Sequence, residues 1–293
     1  MMWFWLATCS AILSAIAAIV QKKVLFHFDA LEFSLLLSVC VFGVSFFIPL
    51  FTDVFSTSST QLLIILSKSV LGAGAFLLVM LSLQRNEISS ALPILGLTPA
   101  ATALLAASAL GESLKGWEWG GIVVMMIGLY LLEKKPNQKL FDPWREVLLS
   151  KNHITIFGAV SLFAVSSVAD KALVSTFRTD PLVVLFYQNG MYVLVFAVAF
   201  WFRRGSIRPI MRDGNRLLPY ILAAAFLTVC YRLTQLEATK IGPVALVLAV
   251  KRTSIIYASF FGGRIFSDER RGMKLLGAAL IVVSGFMILR NVG

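Results

Sequence analysis

Ten runs of apolar residues divide the sequence, at roughly 3–20, 31–51, 61–83, 91–110, 117–133, 154–174, 181–202, 216–236, 241–262 and 272–290. Each approaches the ~20 residues that a helix needs to cross the hydrocarbon core of a bilayer. Lipid offers no partner to a backbone N–H or C=O, so such segments must satisfy their peptide groups internally. The runs lack the alternation of barrel strands, which leaves helices. Composition agrees. Of the 293 residues 58% are hydrophobic and 14% charged, against roughly 45–50% and 25% in an average soluble protein. The expected fold class is an all-α polytopic membrane protein with ten transmembrane helices.

The first run reads as a span and not as a cleaved leader, because Met1-Met2-Trp3-Phe4-Trp5 has no basic n-region. Cys9, Cys40 and Cys230 all fall inside apolar runs and are odd in number, so they read as small core residues without a disulfide framework.

The chain also repeats itself. Glu112, Gly120 and Gly128 recur 157 positions later as Glu269, Gly277 and Gly285, and Ile88-Ser89 recurs as Ile241-Gly242. Lys23-Val24-Leu25 with Asp29-Ala30-Leu31 answers Lys171-Ala172-Leu173 with Asp180-Pro181-Leu182. The expected organisation is a first five-helix repeat over 1–136, a basic connecting loop over 137–152, and a second five-helix repeat over 153–293. Five spans per copy is an odd number, so the two copies must lie inverted relative to one another. Repeats of this kind in a strongly apolar chain are the mark of secondary transporters.

A net charge of +11 raises the idea of nucleic-acid binding, but the basic residues sit in short loops and form no extended face. They report orientation instead. Seventeen lysines and arginines lie in loops after odd-numbered spans, against four (Lys115, Arg178, Lys240 and Arg290) after even-numbered ones. By the positive-inside rule both termini are expected outside the cytoplasm. Equivalent loops of the two copies contrast as inversion requires: 52–61 holds no basic residue, while 203–216 holds five.

Ten spans, two five-span copies, and the pairs Gly111-Glu112 and Asp268-Glu269 ahead of each last helix resemble the drug/metabolite transporter superfamily, and within it the EamA-like permeases. The resemblance implies an integral protein of the bacterial inner (plasma) membrane, and a polar cavity lined chiefly by spans three, four, eight and nine. It usually implies cytoplasmic termini as well, from which the loop charges here depart. Phe186-Tyr187-Gln188-Asn189 is similar to the aromatic-asparagine motif of nucleotide-sugar transporters, with Gln188 where an asparagine is expected. Lys251-Arg252 is similar to the basic pair with which triose-phosphate translocators hold phosphate. On that basis Tyr187, Gln188 and Asn189 join the candidate substrate-binding residues.

Lys251 and Arg252 stand out without any family. They lie about ten residues into the ninth run, where a charge costs roughly 2.5–3.5 kcal/mol on insertion scales. Such a pair either bonds to helix carbonyls or an acidic neighbour, or anchors a ligand. Ser254 shares a face with Lys251. Arg232 and Gln235 share a face of the eighth span, with Tyr231 beside them. Asp170 and Glu237 are the candidate charge partners, with Lys171 next to Asp170. Lys68 and Lys171 are expected to snorkel to the interface. Arg232, Lys251 and Arg252 then face two acids, leaving one positive charge for an anionic ligand to balance.

Pro93, Pro99 and Pro243 free carbonyls that can line a cavity, while the spaced glycines of the fifth and tenth spans read as packing positions. Glu112 and Glu269 are expected to cap the starts of the fifth and tenth helices. His27 and His153 fall in loops, and no metal cluster, cofactor loop or nucleophile motif appears, so neither enzyme nor cofactor is expected. The leading expectation is a secondary transporter of a small organic anion or phosphorylated metabolite. An exporter of amino acids or drug-like amphiphiles comes next, and a membrane-embedded enzyme or lipid scramblase stands as the alternative of another class. Expected partners are the small-molecule substrate and membrane lipids, without nucleic acid; a homodimer is compatible with the sequence.

Overall fold

The computed structural model describes residues 1–25, 27–85, 95–133, 154–203, 208–254, 257 and 271–289. The connecting loop 137–152, Pro93, His153, Glu269 and the remainder of the ninth run lie outside them. Among the described residues the regular structure is helical throughout. Ten α-helices follow one another: α1 (Met2–Leu25), α2 (Ala30–Ser45), α3 (Ser59–Arg85), α4 (Thr98–Leu110), α5 (Gly116–Glu133), α6 (Ile154–Lys171), α7 (Pro181–Phe202), α8 (Arg208–Ile241), α9 (Val244–Arg252) and α10 (Arg271–Leu289). One falls on each apolar run. In the described residues α1, α2, α3, α6, α7 and α8 are long and apolar enough to cross a membrane, while α4 and α5 are shorter apolar helices. The fold is that of a polytopic helical membrane protein.

The repeated aspartates start equivalent helices. At α2 the Asp29 N–H donates to Glu32 Oε2 at 3.2 Å, half of a capping box. At α7 Asp180 Oδ1 accepts from the Leu182 N–H at 2.8 Å, and Pro181 occupies the first helical position, where a missing N–H costs nothing. Gly111 ends α4 in the left-handed region, φ 66°, and donates its N–H to the Ala106 carbonyl. A residue with a Cβ is strained there.

Helix packing follows a regular scheme. α1 packs on α8 and α6 on α3; α2 packs on α8 and α7 on α3; α1 packs on α9 and α6 on α4. Three further contacts join α2 to α7, α4 to α9 and α5 to α10. One core brings Trp3 and Ala7 of α1 together with Ile122, Met125 and Leu129 of α5, Leu246 and Val250 of α9, and Ile281 of α10. Trp3 lies against the turn between α8 and α9, where a Cβ on Gly242 would sit 2.6 Å from its ring.

The α5–α10 contact explains one of the spaced glycines. A Cβ on Gly128 would meet Ile281 Cγ1 at 2.7 Å and the Gly277 carbonyl oxygen at 2.8 Å, whereas no described atom lies within 4 Å of one on Gly285. Gly128 is thus a close-approach position and Gly285 is not. Gly128→Ala is expected to destabilise the fold by on the order of 1–3 kcal/mol, the usual cost of overpacking. Gly285→Ala is expected to be neutral or mildly stabilising, as for alanine over glycine in a helix. Thermal unfolding of both variants in detergent checks the contrast.

Candidate functional site

Four helices bring one carboxylate and two cations together in the interior. Asp170, on the last turn of α6, is 4% exposed, and Lys68 of α3 is 2% exposed. The Lys68 ammonium donates to Asp170 Oδ1 and to the Gln188 side-chain oxygen on α7. Arg232 of α8 donates through Nη2 to Asp170 Oδ2 at 3.1 Å and to Gln188 Oε1 at 2.9 Å. Each carboxylate oxygen therefore holds a different cation, and Gln188 accepts from both. The expectation that Lys68 snorkels is overturned. It stands nine residues past Ser59, roughly 13 Å along the helix axis at 1.5 Å per residue. A lysine stem cannot span that distance, and this depth was the signal available in the sequence.

Further cations stand beside this cluster. Lys251 of α9 donates to the Gln235 side-chain oxygen on α8, and its ammonium lies 4.6 Å from the centroid of the Tyr231 ring, within cation–π range. Arg252 points elsewhere, donating through Nη2 to Thr98 Oγ1 on α4 at 3.0 Å. The divergence follows from the 100° turn between adjacent helical residues. Arg232 Nε is buried and has no hydrogen-bond partner among the described residues. Such a donor is costly to leave unpaired.

These groups border a cavity of about 270 Å³. Its wall draws on eight helices, α1 to α4 and α6 to α9, more than the four spans the family resemblance implied. Asp170, Gln188, Asn189, Tyr231, Arg232, Gln235, Lys251, Arg252 and Ser254 all line it. Phe76, Thr98, Phe163 and Phe196 line it too and were not anticipated. Tyr187 and Glu237 do not belong to the wall. The Tyr187 hydroxyl instead donates to the Val54 carbonyl at 3.0 Å, since its neighbours Gln188 and Asn189 take the inward face of α7. Asn189 Nδ2 donates to Ser45 Oγ at 2.8 Å, joining α7 to α2.

Lys171 turns away from the cavity. Its ammonium donates to the carbonyls of Thr239 and Gly242, both at 2.9 Å, and lies 3.3 Å from Glu112 Oε1. Glu112 Oε2 accepts from the Val244 N–H at 3.2 Å. Glu112 was expected to cap the fifth helix; it caps the ninth instead, across the interface between the two halves of the chain. Glu118 serves α5, its Oε2 accepting from the Lys115 N–H at 2.6 Å. Lys171 meets the carbonyl end of α8 and Glu112 the amide end of α9, each with the charge that the helix dipole favours.

A bundle of apolar helices around an internal cavity with charged side chains on its wall defines a polytopic membrane protein. The family assignment agrees. The chain belongs to the EamA-like transporter family, whose model matches residues 1–133 and 150–290. One solved crystal structure resembles it with a TM-score of 0.74 at 14% identity, over 97% of this chain and 94% of the other. At that identity the likeness concerns the fold. No curated protein sequence shows a significant match.

The buried triad predicts an asymmetry between its members. Asp170→Asn leaves Lys68 and Arg232 facing two neutral amide oxygens, its own and that of Gln188, and removal of one partner from a buried ion pair costs about 3–5 kcal/mol. Lys68→Met leaves Asp170 paired with Arg232. Thermal melts of the two variants are expected to show the larger loss for Asp170→Asn, and the reverse order would contradict the role given to the carboxylate.

Proposed function

We propose that this protein is a secondary transporter of a small organic anion or phosphorylated metabolite. The single observation that carries the reading is the charge on the cavity wall: Arg232, Lys251 and Arg252 line it with one carboxylate among the described residues, Asp170, which also pairs with Lys68. Buried charge is expensive in a membrane protein and marks a functional site by default. An anion arriving at Arg232 and Lys251 would relieve the excess. Asp170 occupies Lys68 and Arg232 when the site is empty.

The proposed machinery is two inverted five-helix repeats, 1–136 and 153–293, rocking about this site by alternating access. The packing scheme supports it, because the larger contacts between the halves either have a counterpart with the repeats exchanged or join equivalent helices. The odd number of spans per repeat then requires inversion. From Asp170 the cavity extends through Gln21 late in α1, Ser34 early in α2 and Thr98 at the start of α4. These lie toward the loops that follow odd-numbered spans. At the opposite ends the halves are tied by Glu112 with Lys171, by the Thr52 hydroxyl to Asp180 Oδ2 at 3.1 Å, and by Gln61 Nε2 to the Phe177 carbonyl at 3.0 Å.

Lys251→Gln is expected to remove stabilisation of the purified protein by anions while leaving expression and melting in their absence nearly unchanged, since a ligand raises stability only through the state it binds. Undiminished anion binding in Lys251→Gln places the anchor elsewhere. For orientation, we propose both termini outside the cytoplasm. A C-terminal reporter active only in the cytoplasm should therefore stay silent, and activity reverses the assignment.

A further inference from the structure

The cavity wall also limits the shape of the anion, an inference that rests on the transporter reading above. What matters is where the wall can donate a hydrogen bond. The hydroxyls of Ser34, Ser38 and Thr228 donate to the carbonyls of Ala30, Leu35 and Ala224 at 2.6, 2.8 and 2.7 Å, and Ser166 donates to the Lys68 carbonyl at 3.3 Å. Their protons are committed to backbone, so toward the cavity these side chains present lone pairs and carbon. Gln21, Ser167, Asn189 and Tyr192 also line the cavity and carry neutral donors, while its hydrocarbon surface comes chiefly from Phe163 of α6, and Phe76 of α3 with Phe196 of α7, their ring centroids 5.9 Å apart. Among the described lining residues the charged donors are Arg232, Lys251 and Arg252 on α8 and α9.

A ligand carrying negative charge at both ends would set one end away from the three cations, against neutral groups and rings that leave a buried charge without a counter-charge. An added ammonium fares no better. The one carboxylate among the described lining residues, Asp170, already has both oxygens on cations. The volume favours a compact body as well: about 270 Å³ lies just below the ~300–1,000 Å³ of typical small-molecule pockets.

We infer that the substrate is a compact amphipathic organic acid with its negative charge at one end and an apolar, ring-sized body. Its acidic group sits on Arg232 and Lys251, and its body lies against Phe76, Phe163 and Phe196.

A matched probe series tests this on the purified full-length protein in detergent, read as the shift in melting temperature with ligand concentration. Hydrocinnamate has the inferred shape. Its para-carboxylated analogue adds a second charge at the far end, phenylalanine adds only an ammonium, and glycerol phosphate replaces the apolar body with a polar one. Hydrocinnamate is expected to stabilise the protein at concentrations at least tenfold lower than the other three. Phe163→Ser should erase that advantage, and Phe163→Leu, which restores an apolar wall, should recover most of it. The inference is overturned if glycerol phosphate, phenylalanine or the dicarboxylate matches hydrocinnamate, or if Phe163→Ser leaves the ranking unchanged. In those cases the cationic anchor still stands when Lys251→Gln abolishes the binding. No stabilisation by any of the probes, or binding indifferent to Lys251→Gln, overturns the anion reading together with this one.

Discussion

Asp170 organises the interior of this protein. Two unit charges a few ångströms apart interact weakly in water and strongly where the dielectric is low, and taking charges out of water is costly unless they are matched. One carboxylate on α6 holds a lysine from α3 and an arginine from α8, with Gln188 of α7 accepting from both cations. Four helices from both halves of the chain thereby converge on one point. Arg232 then stands beside Lys251 and Tyr231, so the position of the carboxylate also fixes where the cationic part of the cavity lies. The same cluster that aligns the helices leaves positive charge in excess, and structure and proposed chemistry share one set of atoms.

Much of this was legible beforehand because membrane insertion makes the sequence simple to read. Length and apolarity mark each span, and a helix is found on every one of the ten runs. Charged residues at depth drew attention to Asp170, Arg232, Lys251 and Arg252, and all four line the cavity. What one dimension hides is the direction in which a side chain points. Tyr187 and Gln188 are adjacent, yet one reaches Val54 and the other the ion cluster. Glu237 lies two residues past Gln235 and turns off the cavity wall. Lys68 was misjudged because a lone lysine in an apolar run resembles one near a membrane surface; its partner is 102 positions away in the chain. The aromatic residues of the wall were invisible for the opposite reason. Among 23 phenylalanines in the sequence, nothing local distinguishes Phe76, Phe163 and Phe196.

The tie between Glu112, Lys171 and the α8–α9 turn has a consequence for how that end of the molecule comes apart. Lys171 holds two carbonyls at the end of α8 and a carboxylate from the α4–α5 junction, and that carboxylate holds the first amide of α9. No member has a substitute partner nearby in the set: once Glu112 withdraws, an ammonium loses its counter-charge and a helix start loses its acceptor together. Loss of one member therefore costs more than one bond, and water is the replacement partner for both groups if these elements separate.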